Sequence, residues 1–198
     1  CSSDLWATCS KIRDLCRKLD KVPEELEDME SMLSDTYFCN FSMFQSLPDS
    51  WAIDQLFPIL PIHRLNEEPT RRAVLADITC DSDGKIDHFI DLREVKRHVA
   101  LHPYHSDQPY YLGIFLVGAY QECLGNLHNL FGDTNAIHVE VGDNGQPRIT
   151  SIIEGDTMSE VLHYVQYTPE DLLSRVNNGI ENALRKQMMS AEQSATLM

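Results

Sequence analysis

Val74-Leu75-Ala76-Asp77-Ile78-Thr79-Cys80-Asp81-Ser82-Asp83-Gly84-Lys85-Ile86-Asp87 runs from an apolar stretch into the densest polar cluster of the chain. Residues 74–79 carry the side chains of a strand, and the Asp, Ser and Gly that follow are turn formers. A strand that stops at an acidic turn puts Cys80 where catalytic side chains often sit. Composition leaves two readings of this turn open: a solvated Asp-Ser-Gly turn, or a site built around the thiol. A calcium loop is excluded, because counting from Asp81 the sixth position is Ile86, where that loop requires glycine. Neighbouring carboxylates disfavour a thiolate, so Cys80 suits a proton donor better than a nucleophile.

Upstream of this stretch, Tyr37, Cys39, Phe41 and Met43 alternate with polar or small residues and predict a strand from residue 36. Residues 56–62 hold Pro58 and Pro61 within an apolar run, which predicts an extended or edge segment. Downstream, residues 112–117 predict an apolar strand ending at Gly118, and 121–130 a short helix. Gly118 and Ala119 are small enough for close backbone approach, with the Tyr120 hydroxyl beside them; tight structural packing of the pair is the alternative. Residues 98–108, with His98, His102 and His105, read as a polar surface loop rather than a metal site.

Further on, residues 136–141 and 148–153 flank Gly142-Asp143-Asn144-Gly145, a hairpin signal. Thr168, Pro169 and Asp171 mark a helix start, followed by Leu172, Val176, Ile180, Ala183 and Leu184 along one face. At the other end, Leu5, Cys9, Ile12, Leu15, Cys16 and Leu19 predict a helix, and Pro23 with Glu24 and Glu25 opens a second. The expected organisation is a helical segment over 1–35, a β-rich domain over 36–155 and a helical tail over 156–198. The fold class is mixed, mainly β.

Composition removes several function classes. Sixteen Lys and Arg against 31 Asp and Glu leave a net charge of −15, which disfavours nucleic acid and anionic membrane surfaces as partners. The longest apolar stretch, residues 110–120, is too short for a membrane-spanning helix. Six cysteines contain no Cys-x-x-Cys pair, so a zinc knuckle is excluded and a reduced, cytoplasmic protein is expected. No Walker or dinucleotide glycine motif is present.

Three stretches carry a resemblance. They are Asn40-Phe41-Ser42-Met43-Phe44-Gln45-Ser46 running into Trp51-Ala52-Ile53-Asp54-Gln55-Leu56-Phe57-Pro58; Asp77 to Asp87 around Cys80; and Val117-Gly118-Ala119-Tyr120 running into His128-Asn129-Leu130-Phe131-Gly132-Asp133. In this order they resemble the pyridoxal-phosphate-dependent biosynthetic arginine decarboxylases over residues 36–185, relatives of the ornithine and diaminopimelate decarboxylases. The resemblance implies fold type III. There a barrel of alternating strands and helices holds the cofactor, and a second strand-rich barrel or sandwich domain completes the site across a dimer interface. The present chain resembles the latter part, with residues 1–35 matching the end of the family's helical insertion.

What the resemblance implies for the site is specific. Cys80 returns a proton to the substrate α-carbon after carbon dioxide leaves, and Tyr120 lies near the cofactor phosphate. A carboxylate binds the guanidinium of arginine; Asp81 is the first choice, with Asp83 and Asp54 as the others. Ornithine-type relatives carry Asn-Asp-Gly where this chain has Asn40-Phe41-Ser42, and Cys-Asp-Gly where it has the longer Cys80-Asp81-Ser82-Asp83-Gly84. Decarboxylation of ornithine or lysine, or a non-catalytic binding module of the same descent, are the rival functions.

None of the six lysines (Lys11, Lys18, Lys21, Lys85, Lys96 and Lys186) matches the context of the family's Schiff-base lysine. The expectation is therefore the C-terminal portion of a longer decarboxylase, inactive alone, with the cofactor-binding barrel in the same or a partner chain. The resemblance further implies a homo-oligomer (dimer or tetramer), polyamine synthesis through agmatine, and magnesium, for which no ligand cluster shows in these residues.

Overall fold

The computed structural model describes residues 2–16, 18, 26, 33–92, 94–118 and 120–197. The chain divides into two units, Cys1–His128 and Asn129–Met198. The first opens with the expected helix, Ser2–Cys16, on which Cys16 is buried. The second helix expected at Pro23 lies outside the described residues, as do Cys1 and Ala119.

The strand Arg71–Ala76 organises the first unit. It pairs in parallel with Asp35–Phe38 and antiparallel with both Lys85–Ile86 and Val99–Leu101. Strand alternation sends Ala73 and Leu75 to one face, where they are almost inaccessible and pack with Met43, Leu47, Ile86, Phe89, Val99 and Leu101. Ile59–Pro61 pairs with Leu112–Ile114, and Ile59, Leu112 and Ile114 cover that core. Pro61 sits on this two-stranded edge, where a missing N–H is tolerated. Among the described residues the strands form four small sheets, and none closes into a barrel. The class is mixed α and β as expected.

Three local expectations fail for identifiable reasons. The strand predicted through Met43 stops at Phe38. Ser42 caps a helix instead, its hydroxyl accepting the Gln45 N–H at 3.3 Å, and Met43–Ser46 becomes helical. The strand predicted over 112–117 stops at Ile114, since Leu116 turns the chain with a φ of 59°. The helix predicted over 121–130 is broken after Leu124 into Gln121–Leu124 and a 3₁₀ turn, His128–Leu130.

The histidine segment is also not a surface loop throughout. Val99–Leu101 is a strand, and His102 is buried. The His102 N–H donates to Tyr110 Oη at 2.9 Å, its Nδ1 lies 2.8 Å from the same oxygen, and the Tyr37 hydroxyl donates to its carbonyl at 2.9 Å. Nearby, burial pushes the Cys39 thiol up to about 11, so it remains protonated and packs as a small apolar residue.

The second unit follows its local signals. Ala136–Val141 and Pro147–Ile153 form the expected antiparallel hairpin, with Gly145 at a φ of 74°. The Gly142 N–H donates to the Gln146 carbonyl at 2.9 Å and closes the turn. Met158–Tyr164 begins with a full capping box, Thr157 and Glu160, that the sequence reading missed. Pro169–Arg185 begins at Thr168, whose hydroxyl accepts the Asp171 N–H at 3.2 Å. Ala191–Leu197 follows. No helix among the described residues is long and apolar enough to cross a membrane.

Candidate active site

Asp77 ends the central strand, and its buried carboxyl ties the acidic turn to a distant segment. Oδ2 accepts the Met43 N–H at 2.9 Å, and Oδ1 accepts the Thr79 N–H at 2.9 Å and the Thr79 hydroxyl at 2.8 Å. The Asp77 N–H donates to the Gly84 carbonyl at 2.8 Å, which closes the turn on itself. A Cβ on Gly84 would overlap Asp77 Oδ1, so the close approach of turn and carboxyl demands glycine there. A further bond, Ile78 N–H to the Phe41 carbonyl at 3.1 Å, completes the seam. Buried polar groups are costly unless bonded, and here both carboxyl oxygens of Asp77 have donors.

The third segment joins from the other direction. The Asn126 N–H donates to the Phe44 carbonyl at 3.0 Å, and the buried Gln121 amide exchanges hydrogen bonds with Asp49. A side chain on Gly125 would overlap the Gln45 carbonyl. The His128 ring lies on Phe44 with centroids 4.3 Å apart, and Trp51 meets Phe44 edge-on at 5.2 Å. The first of the stretches that carry the resemblance thus joins the acidic turn through Met43 and Phe41, and His128 of the third lies against Phe44 of the first.

On this seam Cys80 is an exposed thiol, one residue beyond Thr79. Asp81 is half-buried: its Oδ1 accepts the Asp83 N–H at 2.9 Å, and its Oδ2 lies 3.6 Å from His128 Nε2. Asp83 is exposed at the tip of the turn. The structure thus brings Cys80, Asp81 and Asp83 together and adds His128, to which sequence reasoning gave no role. Its only signal was its place in the third stretch.

Tyr120 precedes the helix Gln121–Leu124 in a left-handed conformation, φ 73° and ψ −11°, and is exposed. Space beside Gly118 is open, the nearest atom to an added Cβ being the Leu116 carbonyl oxygen at 3.9 Å. Asp54, at a φ of 55°, lines a cleft of about 360 Å³ with Ser50, Lys85, Asp87 and His88, and that lining includes neither Cys80 nor Asp81. Burial raises the Asp87 carboxyl, but hydrogen bonds from Lys85 (2.9 Å) and His88 (2.7 Å) outweigh it and hold the group below the usual carboxylate range. Among the described residues no group of three or more His, Cys, Asp or Glu side chains could hold a metal ion.

A half-buried carboxyl beside an exposed thiol, on a rigid turn, can bind a cation and deliver a proton to an adjacent atom. Residues 158–198 match the arginine decarboxylase C-terminal helical extension. The chain is 56% identical over 193 residues to the biosynthetic arginine decarboxylase of Nostoc sp., covering 98% of this chain and 28% of that protein. It is 55% identical over 197 residues to the biosynthetic arginine decarboxylase of Gloeobacter violaceus, of which it covers 31%. In the crystal structure of the biosynthetic arginine decarboxylase of Campylobacter jejuni, 26% of the chain superposes on 82% of this one with a TM-score of 0.68 and 37% identity. The chain is similar to the C-terminal part of biosynthetic arginine decarboxylases and spans under a third of the length of these relatives.

Proposed function

We propose that this chain supplies the thiol and the acidic turn of an active site that converts arginine to agmatine and carbon dioxide, the entry to polyamine synthesis. The observation that carries the reading is the convergence of three distant segments on the Cys80 turn, locked through the buried Asp77 carboxyl. A turn that only needed solvation would have no use for such a clamp.

In this reading the Cys80 Sγ–H gives its proton to the substrate α-carbon once the carboxylate has left. Asp81 receives the guanidinium as a bidentate acceptor, a pairing that fixes both orientation and charge. Asp83 lends its N–H to Asp81, and Asp54, in a different cleft, is the weakest of the acid candidates. Pyridoxal phosphate, when bound, supplies the electron sink for the carbanion that decarboxylation leaves. Tyr120 and the open backbone at Gly118 fit its phosphate, for the hydroxyl is solvent-facing and the chain there has room for close approach. The described residues fit no role as its lysine partner: Lys85, beside this turn, is engaged with Asp87. That lysine belongs to a barrel domain outside these residues, in the same or a partner chain, within a cytoplasmic homo-oligomer. The magnesium implied by the family resemblance finds no ligand set among the described residues.

The test is made in the intact decarboxylase. Cys80→Ala is expected to lower kcat for arginine about 100-fold or more while the thermal midpoint stays within a degree or two, because the side chain is exposed. Asp81→Ala is expected to cost arginine more in kcat/KM than it costs ornithine or lysine. If arginine loses no more than the shorter diamino acids, the guanidinium assignment falls.

A further inference from the structure

His128 is held in place by more contacts than a packing residue needs. Its N–H donates to Asn126 Oδ1 at 3.0 Å, which fixes the backbone at the start of the 3₁₀ turn. Its ring is stacked on Phe44, itself 2% exposed, braced by Trp51 and bonded through its carbonyl to Asn126. This leaves one end of the ring, Nε2, removed from solvent and without a hydrogen-bond partner. A buried ring nitrogen left in that state costs stability, so such atoms are uncommon unless a partner comes and goes.

The carboxylate that Nε2 faces is Asp81, whose Oδ2 is 3.6 Å away. That separation is outside hydrogen-bond range, and a small rotation of the half-exposed Asp81 side chain closes it. Facing a carboxylate oxygen, the favoured tautomer carries its hydrogen on Nε2. Asp81 Oδ1 is already held by the Asp83 N–H at 2.9 Å. We propose that His128 is the positioning residue for Asp81: its Nε2–H engages Oδ2 when substrate binds, so that both carboxylate oxygens are pinned and their free lone pairs present a flat, pre-oriented acceptor to a guanidinium.

The inference rests on the reading of Asp81 as the guanidinium acceptor. Each carboxylate oxygen takes two donors, so one internal donor per oxygen leaves one lone pair on each for the substrate fork. Because Oδ1 is held by the Asp83 N–H beforehand, only a small rotation is left to be fixed when the His128 contact closes, and little rotamer freedom is lost on binding. A histidine is suited to this: an arginine here would occupy both oxygens itself and compete with the substrate, and a phenylalanine would keep the stack and lose the donor. His128 reaches Asp81 and not the reacting carbon, so its effect falls on substrate binding.

The experiment compares His128→Phe, His128→Gln and Asp81→Asn, with the His128→Phe/Asp81→Asn double variant, in the intact decarboxylase. His128→Phe is expected to raise KM for arginine about 10-fold, the worth of one hydrogen bond to a charged group, with kcat within about 3-fold of the parent. Inhibition by a simple alkylguanidine weakens in parallel. His128→Gln, which restores an N–H near the position of Nε2, returns KM to within about 3-fold, and the double variant is no worse than Asp81→Asn alone. An unchanged KM in His128→Phe beside a raised KM in Asp81→Asn overturns the role of His128 and leaves Asp81 standing. An unchanged KM in Asp81→Asn overturns the reading of Asp81 and this inference with it. A fall in kcat alone, or a glutamine as impaired as the phenylalanine, also overturns it. If His128→Phe fails to fold, His128→Leu against His128→Gln reads the same difference.

Discussion

The two units of this chain hold their shapes by different means. In Cys1–His128 the decisive bonds join residues far apart in sequence: Asp77 with Met43, Ile78 with Phe41, Asn126 with Phe44, Gln121 with Asp49. They surround a core of eight buried side chains. In Asn129–Met198 the turn and cap bonds join close neighbours: Gly142 with Gln146, Thr157 with Glu160, Thr168 with Asp171. Its hairpin leaves apolar side chains in water on both faces, the successive Ile152 at 64% and Ile153 at 52% exposure, and among its described residues only Val161 and Ile180 are buried hydrophobics. A region whose shape is locally encoded can do without a core of its own; a region that assembles a site from three segments cannot. The candidate site lies in the region whose parts constrain one another.

The sharpest way to break this contrast is Gly84→Ala. The added Cβ would overlap Asp77 Oδ1, and moving that carboxyl unseats its bonds to Met43 and Thr79 together. The expected loss is about 3 kcal/mol or more of stability, with activity lost as well, read by denaturant titration of the intact protein. A change below 1 kcal/mol would mean that the turn is not clamped through Asp77.

Gly145→Ala is the matching change in the second unit. At a φ of 74° the new side chain strains the hairpin turn by about 1 kcal/mol, and nothing lies within 4 Å to amplify the cost. Kinetic parameters for arginine stay at parent values in the same assay, and a fall in kcat would tie the hairpin to the site.

The smallest effect belongs to Glu160. Hydrogen bonds from the Thr157 N–H and hydroxyl hold its carboxyl below the ordinary glutamate value. A lowered folded-state pKa contributes stability that is complete above the ordinary value and is lost as pH falls through the folded one. The thermal midpoint of the parent, minus that of Glu160→Gln, is therefore expected to be positive at pH 7 and to shrink below about pH 4. A difference independent of pH would show that the charge adds nothing to the capping box.

Legibility followed the same division. Gly142-Asp143-Asn144-Gly145 was readable because a tight turn needs particular residues at particular steps, and Thr168-Pro169 because a helix start is decided within one turn of chain. Leu75 and its neighbours read as a strand, and the acidic turn after it read as a turn. The reading failed at residues 39–43, where alternation suggested a strand. There the Ser42 cap, and the Met43 N–H drawn to Asp77 Oδ2, outweigh strand propensity. It failed again at His102, whose polar neighbours in sequence gave no hint of the Tyr110 hydroxyl that satisfies it in the core.

The sequence by itself determined the hairpin, the helix starts, the acidic turn with its thiol, and the likeness to arginine decarboxylases, for these depend on residue order alone. Only the tertiary structure decided that the Asp77 carboxyl ties Met43 to Thr79, that Asp54 lines a cleft that does not include Cys80, and that His128 faces Asp81. These pairings depend on which apolar faces bury each other, and that is settled by the packing of Phe44, Leu75 and Ile86 across the fold rather than by spacing along the chain.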